Sequence, residues 1–160
     1  MRKEARRGGV FISDLSAESG AATVIEALDL YPGAQIDFVN RDQLDGEELQ
    51  ERLARVAYLV LPTLFYEPLP RPLIEAFANG LPVIASRLGS LADLVEPGRN
   101  GLLFQPGSAR DLARRLAWAD AFPEKMRQMG ECARADYQAR FIADWSYQRL
   151  FGERRRSARA

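Results

Sequence analysis

Two glutamates stand eight positions apart in YEPLPRPLIEAFANGLPVIAS, the stretch that covers residues 66–86. Glu67 lies in a proline-rich turn, and Glu75 lies in the helical pattern that follows it. A carboxylate near a helix start suits a sugar diol, because both of its oxygens accept hydrogen bonds from neighbouring hydroxyls. The first helical turn has unsatisfied N–H groups, and Arg71 stands beside it, so the same spot favours a phosphate or diphosphate. Spacing alone leaves a second interpretation open: a solvated loop acid and an exposed helix residue.

The composition narrows the chemistry that these acids could join. The chain has 160 residues and no histidine, which excludes Ser-His-Asp triads and histidine metal sites. Lys+Arg and Asp+Glu balance at 22 each, so net charge gives no support to nucleic-acid binding. Cys132 is the single cysteine, and therefore no intrachain disulfide can form. With no long apolar run and no signal-like start, we expect no transmembrane segment and a cytoplasmic location, with peripheral membrane association as the alternative.

Short apolar runs alternate with longer helical patterns along the chain. The predicted strands cover 9–13, 34–39, 57–62, 82–86 and 101–104, and the predicted helices cover 21–31, 45–56, 72–80, 90–95, 108–121, 122–141 and 141–151. Regular alternation with near-continuous apolar strands predicts an α/β fold with a parallel sheet of about five strands and helices on both faces. Locally, Gly80 is predicted as a helix C-cap, Pro72 as the first helical residue and Ser108 as an N-cap.

Ligands of open α/β sheets bind beyond the carboxyl ends of the strands. The loops predicted there cover 13–20, 39–46, 63–71, 86–90 and 104–108. The third of these loops contains Glu67 and leads into the helix of Glu75, so the sequence predicts a ligand site at this edge of the sheet.

The stretch from LVLPTLFYEPLPRPLIEAF to PGRNGLLFQPG resembles the donor-binding half of retaining, nucleotide-sugar-dependent glycosyltransferases with the GT-B fold, the bacterial "group 1" transferases. The features shared are the two glutamates, the EAFANGLPVIAS unit, the LGSLADLV turn and the PGRNGLLFQPG segment. The resemblance extends over residues 9–152 and is strongest at 58–107. It implies a single Rossmann-like domain, half of a GT-B fold, over residues 1–160, with a core at 9–152 and basic tails at 1–8 and 153–160.

The same resemblance implies roles for individual residues. Glu75 would hold the ribose hydroxyls of a nucleotide sugar, and Glu67, the catalytic candidate, would face the donor sugar. The backbone around Leu69, Arg71 and Leu73 would face the diphosphate and the sugar. Gly89 and Ser90, the remaining donor-binding candidates, would border the same cleft. No metal and no cofactor is expected, because the nucleoside-diphosphate sugar is itself the substrate.

The sequence also departs from the family. Asp14 and Ser19 stand where the family has an arginine and a lysine that neutralise the diphosphate, and Arg41, Arg71 or Arg87 are candidates to replace them. About one βα unit is missing after the first helix, which predicts the strand order 2-1-3-4-5.

Three interpretations stay open at this point. The first is a donor-binding half that transfers sugar only with an acceptor-binding domain, supplied by another chain or by a longer protein. The second is a non-catalytic binding or interaction module that keeps the fold, and the third is an unrelated flavodoxin-like phosphate binder. A homo-oligomer partner is a further expectation, because the missing domain leaves surface uncovered.

Overall fold

The computed structural model describes residues 6–13, 19–66 and 70–141. The strands are β1 (Gly9–Ser13), β2 (Ile36–Asn40), β3 (Tyr58–Leu61), β4 (Val83–Ser86) and β5 (Gly101–Phe104). The helices are α1 (Ala21–Leu30), α2 (Gly46–Arg55), α3 (Arg71–Ala78), α4 (Ser90–Leu94), α5 (Ala109–Ala121) and α6 (Pro123–Asp136). A 3-10 turn covers Arg41–Gln43, and a π-helical turn covers Tyr137–Phe141.

The described strands form one parallel sheet in the order β2-β1-β3-β4-β5. This confirms the predicted order 2-1-3-4-5 and the predicted five strands. Residues 31–35 lead from α1 directly into β2. Strand β2 is the edge strand and pairs with β1. The order reverses between β1 and β3, and in such sheets this switch point opens a crevice at the carboxyl ends of the strands.

Two hydrophobic cores cover the two faces of the sheet. On one face α2 and α3 contribute Leu53 and Phe77, which are fully buried. On the other face α1 and α5 contribute Val24 and Leu112, also fully buried. Helix α6 contributes to both cores, with Ala133 in the first and Met126 and Met129 in the second. Burial on both sides explains why β3, β4 and β5 are apolar without alternation.

Local capping agrees with the sequence at Ser108 and differs by one residue at Gly80 and Pro72, since the C-cap of α3 is Asn79 and Gly80 comes directly after it. Ser108 caps α5, because its hydroxyl accepts a hydrogen bond from the Asp111 N–H at 3.1 Å. Gly80 follows α3 with a φ of 67°, which only glycine adopts readily. Pro72 is the second residue of α3, since the helix begins at Arg71.

The predicted final helix over 141–151 lies outside the described residues apart from Phe141, and so do most of the basic tails. The domain bounds therefore stay a prediction. Within residues 6–13, 19–66 and 70–141, no helix combines the length and apolar character needed to cross a bilayer.

Candidate functional site

Helix α3 carries Glu75 to the crevice at the carboxyl ends of the strands. The helix follows β3, which borders the switch point, and Glu75 lies in its second turn. Its neighbours Leu73, Ile74, Ala76 and Phe77 are buried in the core, and this packing fixes the helix against the sheet. The Glu75 side chain is 12% exposed. It is therefore much less accessible than the solvated helix acid that spacing alone had left open.

Two arginines converge on the Glu75 carboxylate. Arg41 binds it as a fork, with Nη1 donating to Oε1 at 2.9 Å and Nη2 donating to Oε2 at 3.0 Å. Arg71 donates from Nε to Oε1 at 2.8 Å. Two guanidinium groups therefore surround one carboxylate. Such parallel, charge-assisted bonds are the stronger kind of hydrogen bond in proteins.

Arg41 reaches the cluster from the far side of β1. It follows Asn40, the last residue of β2, and opens the 3-10 turn. The Asn40 side-chain oxygen accepts a hydrogen bond from the Asp42 N–H at 3.0 Å, which holds the start of this turn. Since β1 lies between β2 and β3, the ion pair between Arg41 and Glu75 passes over the carboxyl end of β1.

The start of α3 has no side-chain cap. Pro70 occupies the N-cap position without a side-chain hydrogen bond, and Pro72 has no N–H to satisfy. The Leu73 side chain is fully buried, so only its backbone is available to a ligand. The positive end of the helix dipole and the Arg71 charge therefore lie together at the crevice.

Gly89 and Ser90 form the start of α4 on the β4 side of the same edge. Gly89 has a φ of 54°, and a Cβ at this position would lie 2.3 Å from the Tyr66 ring. Glycine is therefore required both by the backbone conformation and by the close approach of the ring. Tyr66 itself is 67% exposed, so its contact with Gly89 leaves most of this side chain accessible to solvent.

The structure describes only some of the predicted site residues. Arg71, Leu73 and Glu75 lie in α3, Ser90 opens α4, and Gly89 is the N-cap of α4. Glu67 and Leu69 lie outside the described residues, as does Asp14. The roles of all these residues stay predictions. Ser19 is described and is 8% exposed.

Sequence reasoning named Arg41 only as a replacement cation and missed its contact with Glu75. The signal that could have found it is its place directly after β2, at the carboxyl edge. A second feature was missed at the end of β4, where the Ser86 hydroxyl is fully buried and has no hydrogen-bond partner among the described residues. Across the same ranges, no group of three or more acids, cysteines or histidines could hold a metal ion.

Comparison with known proteins identifies the family and agrees with the fold. The sequence profile of the family described as "Glycosyl transferases group 1" matches residues 26–136. The chain therefore belongs to the group 1 glycosyltransferases. MMP alpha-(1->4)-mannosyltransferase of Mycolicibacterium hassiacum is 35% identical over 92 residues, which make up 57% of this chain and 22% of that protein.

Solved structures show the same fold. Sucrose-phosphate synthase from Thermosynechococcus elongatus superposes with a TM-score of 0.74 at 26% identity, over 94% of this chain and 47% of that one. Anabaena HepE in complex with UDP and glucose superposes with a TM-score of 0.77 at 21% identity, over 93% of this chain and 48% of that one. The chain thus spans about half the length of these two structures and a smaller part of the mannosyltransferase. It corresponds to one of the two halves of a GT-B glycosyltransferase.

Proposed function

We propose that this chain is the donor-binding half of a retaining glycosyltransferase and that it binds a nucleoside-diphosphate sugar at the carboxyl edge of its sheet. The observation that carries the proposal is the position of the Glu75 carboxylate and the groups around it. A largely buried carboxylate in the second turn of α3 lies at the switch-point crevice, beside the positive start of the helix and two guanidinium groups. These are the groups that a ribose and a diphosphate require.

The relatives support this class of ligand. HepE was solved in complex with UDP and glucose. The mannosyltransferase and the sucrose-phosphate synthase are both named for reactions that build glycosidic products. We infer that this chain binds a ligand of the same class as the UDP of the HepE complex.

Each element then has a part in holding the donor. Glu75 accepts hydrogen bonds from the ribose hydroxyls, while Arg71 and the first N–H groups of α3 face the diphosphate. Glu67 faces the sugar, and Gly89 and Ser90 border it from the β4 side. Transfer also requires an acceptor held in line and a cleft closed to water, and this calls for an acceptor-binding domain.

The test is thermal stabilisation of the chain by UDP, GDP and ADP and by their sugars. A ligand present at about 100 times its Kd stabilises the native state by about 2.7 kcal/mol. At least one of these ligands at millimolar concentration should raise Tm, and Glu75→Ala should abolish the increase.

Glu131→Ala is the matched control, because Glu131 forms an exposed ion pair with Arg127 on α6, away from the crevice. It should leave the ligand response unchanged. An intact fold that responds to none of the ligands would contradict the proposal.

A non-catalytic binding module is the second candidate, and one observation favours it. The Glu75 carboxylate already accepts three hydrogen bonds from Arg41 and Arg71, so a ribose must displace at least one of them. Sugar transfer to an acceptor, measured with the chain joined to or mixed with an acceptor-binding domain, separates the candidates. Donor binding with no transfer in that assay would favour the module.

A further inference from the structure

The pair between Arg41 and Glu75 lies across the crevice that the proposed donor would enter. Arg41 follows β2 and Glu75 belongs to the helix after β3, so the pair spans the carboxyl end of β1 beside the switch point. Both partners are largely withdrawn from solvent, with side chains 27% and 12% exposed. A nucleotide that takes Glu75 must first open this contact.

A guanidinium and a ribose diol present similar groups to a carboxylate. Both groups offer two neighbouring donors, so either of them can give one hydrogen bond to each of the two carboxylate oxygens. Arg41 binds both Glu75 oxygens, whereas Arg71 donates from Nε to Oε1. Arg71 is also the more exposed arginine, at 61%. Arg41 is therefore the group with which a ribose competes directly.

We propose that Arg41 is a specificity-determining residue, which makes the donor site select nucleoside diphosphates over nucleosides. This inference rests on the proposed function. When a ribose displaces Arg41, the guanidinium loses the one carboxylate that pairs with it within the described residues. A neutral nucleoside offers no anion in exchange, and its binding carries the whole cost of opening the pair. A nucleoside diphosphate brings an anion into the same crevice, where Arg41 can pair again.

The inference predicts how the ratio of two dissociation constants responds to the Arg41 side chain. In wild type, a nucleoside diphosphate should bind far more tightly than its nucleoside. Arg41→Gln removes the fork and the charge, so nucleoside binding should tighten and diphosphate binding should weaken. The two effects together should shrink the ratio by about tenfold or more, since each charge-assisted hydrogen bond accounts for about this much.

Arg41→Lys gives a separate prediction. Lysine keeps the charge but cannot form a fork with a carboxylate. Diphosphate binding should therefore stay within a few-fold of wild type while nucleoside binding tightens, which places the ratio between those of wild type and Arg41→Gln.

The experiment is isothermal titration of wild type, Arg41→Gln and Arg41→Lys with uridine and UDP, guanosine and GDP, and adenosine and ADP. Arg52→Gln is the matched control. Arg52 forms a comparable ion pair with Asp37 at 2.8 Å, on α2 and β2 but away from the carboxyl edge, and its loss should leave the ratio unchanged. Circular dichroism melting verifies that each variant is folded.

The outcomes separate this inference from the proposed function. If nucleoside diphosphates bind and the ratio in both Arg41 variants stays within twofold of wild type, the inference is wrong and the pair is only structural. A ratio that shifts equally in Arg52→Gln would also overturn it. If no nucleoside diphosphate binds to wild type or to any variant, the proposed function itself fails and the inference falls with it.

Discussion

The contact between Arg41 and Glu75 should contribute measurably to stability in the absence of any ligand. The perturbation is a double-mutant cycle with Arg41→Gln, Glu75→Gln and the double variant. Such a cycle isolates the coupling free energy between two side chains from the other effects of each substitution. The structure also provides an internal comparison, because Glu75 has a second arginine partner, Arg71, on its own helix.

The expected magnitudes follow from exposure and geometry. The contact of Arg41 is a fork of two bonds at 2.9 and 3.0 Å between side chains 27% and 12% exposed. Hydrogen bonds to charged groups contribute about 1.5–3 kcal/mol each, and exposed pairs contribute about 0.2–1 kcal/mol. We therefore expect a coupling of about 1.5–3 kcal/mol for the whole fork, below the sum of its two bonds because the Arg41 side chain is partly exposed. Arg71 is 61% exposed and four residues from Glu75, so its coupling should be about 0.3–0.5 kcal/mol.

A second cycle, with Arg71→Gln, Glu75→Gln and their double variant, measures the contact of Arg71. Urea unfolding at low and at moderate salt gives both coupling free energies. The coupling of Arg41 should change little with salt, because its partner is largely buried, while that of Arg71 should shrink. A coupling for Arg41 of about 0.5 kcal/mol or less would refute the reasoning. It would mean that the fork does not persist in solution, and it would also remove the basis for a role of Arg41 in selecting the donor.

Three further predictions concern residues around the site and in the core. Burial raises the pKa of Asp136, but hydrogen bonds from Arg99 and Asn100 outweigh this effect and hold the pKa below its usual value. Urea unfolding at pH 7 should therefore show wild type to be more stable than Asp136→Asn. This difference in stability should be lost as the pH falls below about 4, where the carboxylate becomes protonated. Gly89→Ala should lower stability by about 1–3 kcal/mol, because alanine is strained at a φ of 54°. Its control is Gly46→Ala, where an added Cβ meets nothing within 4 Å and a gain of about 0.4–1 kcal/mol is expected; equal effects on Tm would contradict the argument. Tyr58→Phe should cost about 0.5–1.5 kcal/mol in urea unfolding, since the buried hydroxyl donates to an Asp120 oxygen at 3.3 Å, and an unchanged stability would show that this bond has no net effect.

Much of the fold was predictable because its signals are local. Each strand is a short apolar run and each helix has its own period, so the elements can be located without knowing what they contact. The strand order followed from the resemblance to the GT-B family, which indicated that about one βα unit is missing, and from right-handed crossovers, which leave few arrangements. Differences at element ends were small: the second strand is Ile36–Asn40 rather than 34–39, and α3 starts one residue earlier than predicted.

The sequence by itself thus determined the parallel sheet and the edge at which Glu75, Gly89 and Ser90 lie, because these depend on the pattern of apolar residues and on chain connectivity. Only the tertiary structure decided that Arg41, 34 positions away, forms the ion pair with both oxygens of the Glu75 carboxylate. Side-chain pairing across a sheet depends on the distance between strand ends and on which side chains are desolvated together. Neither quantity is encoded in local spacing.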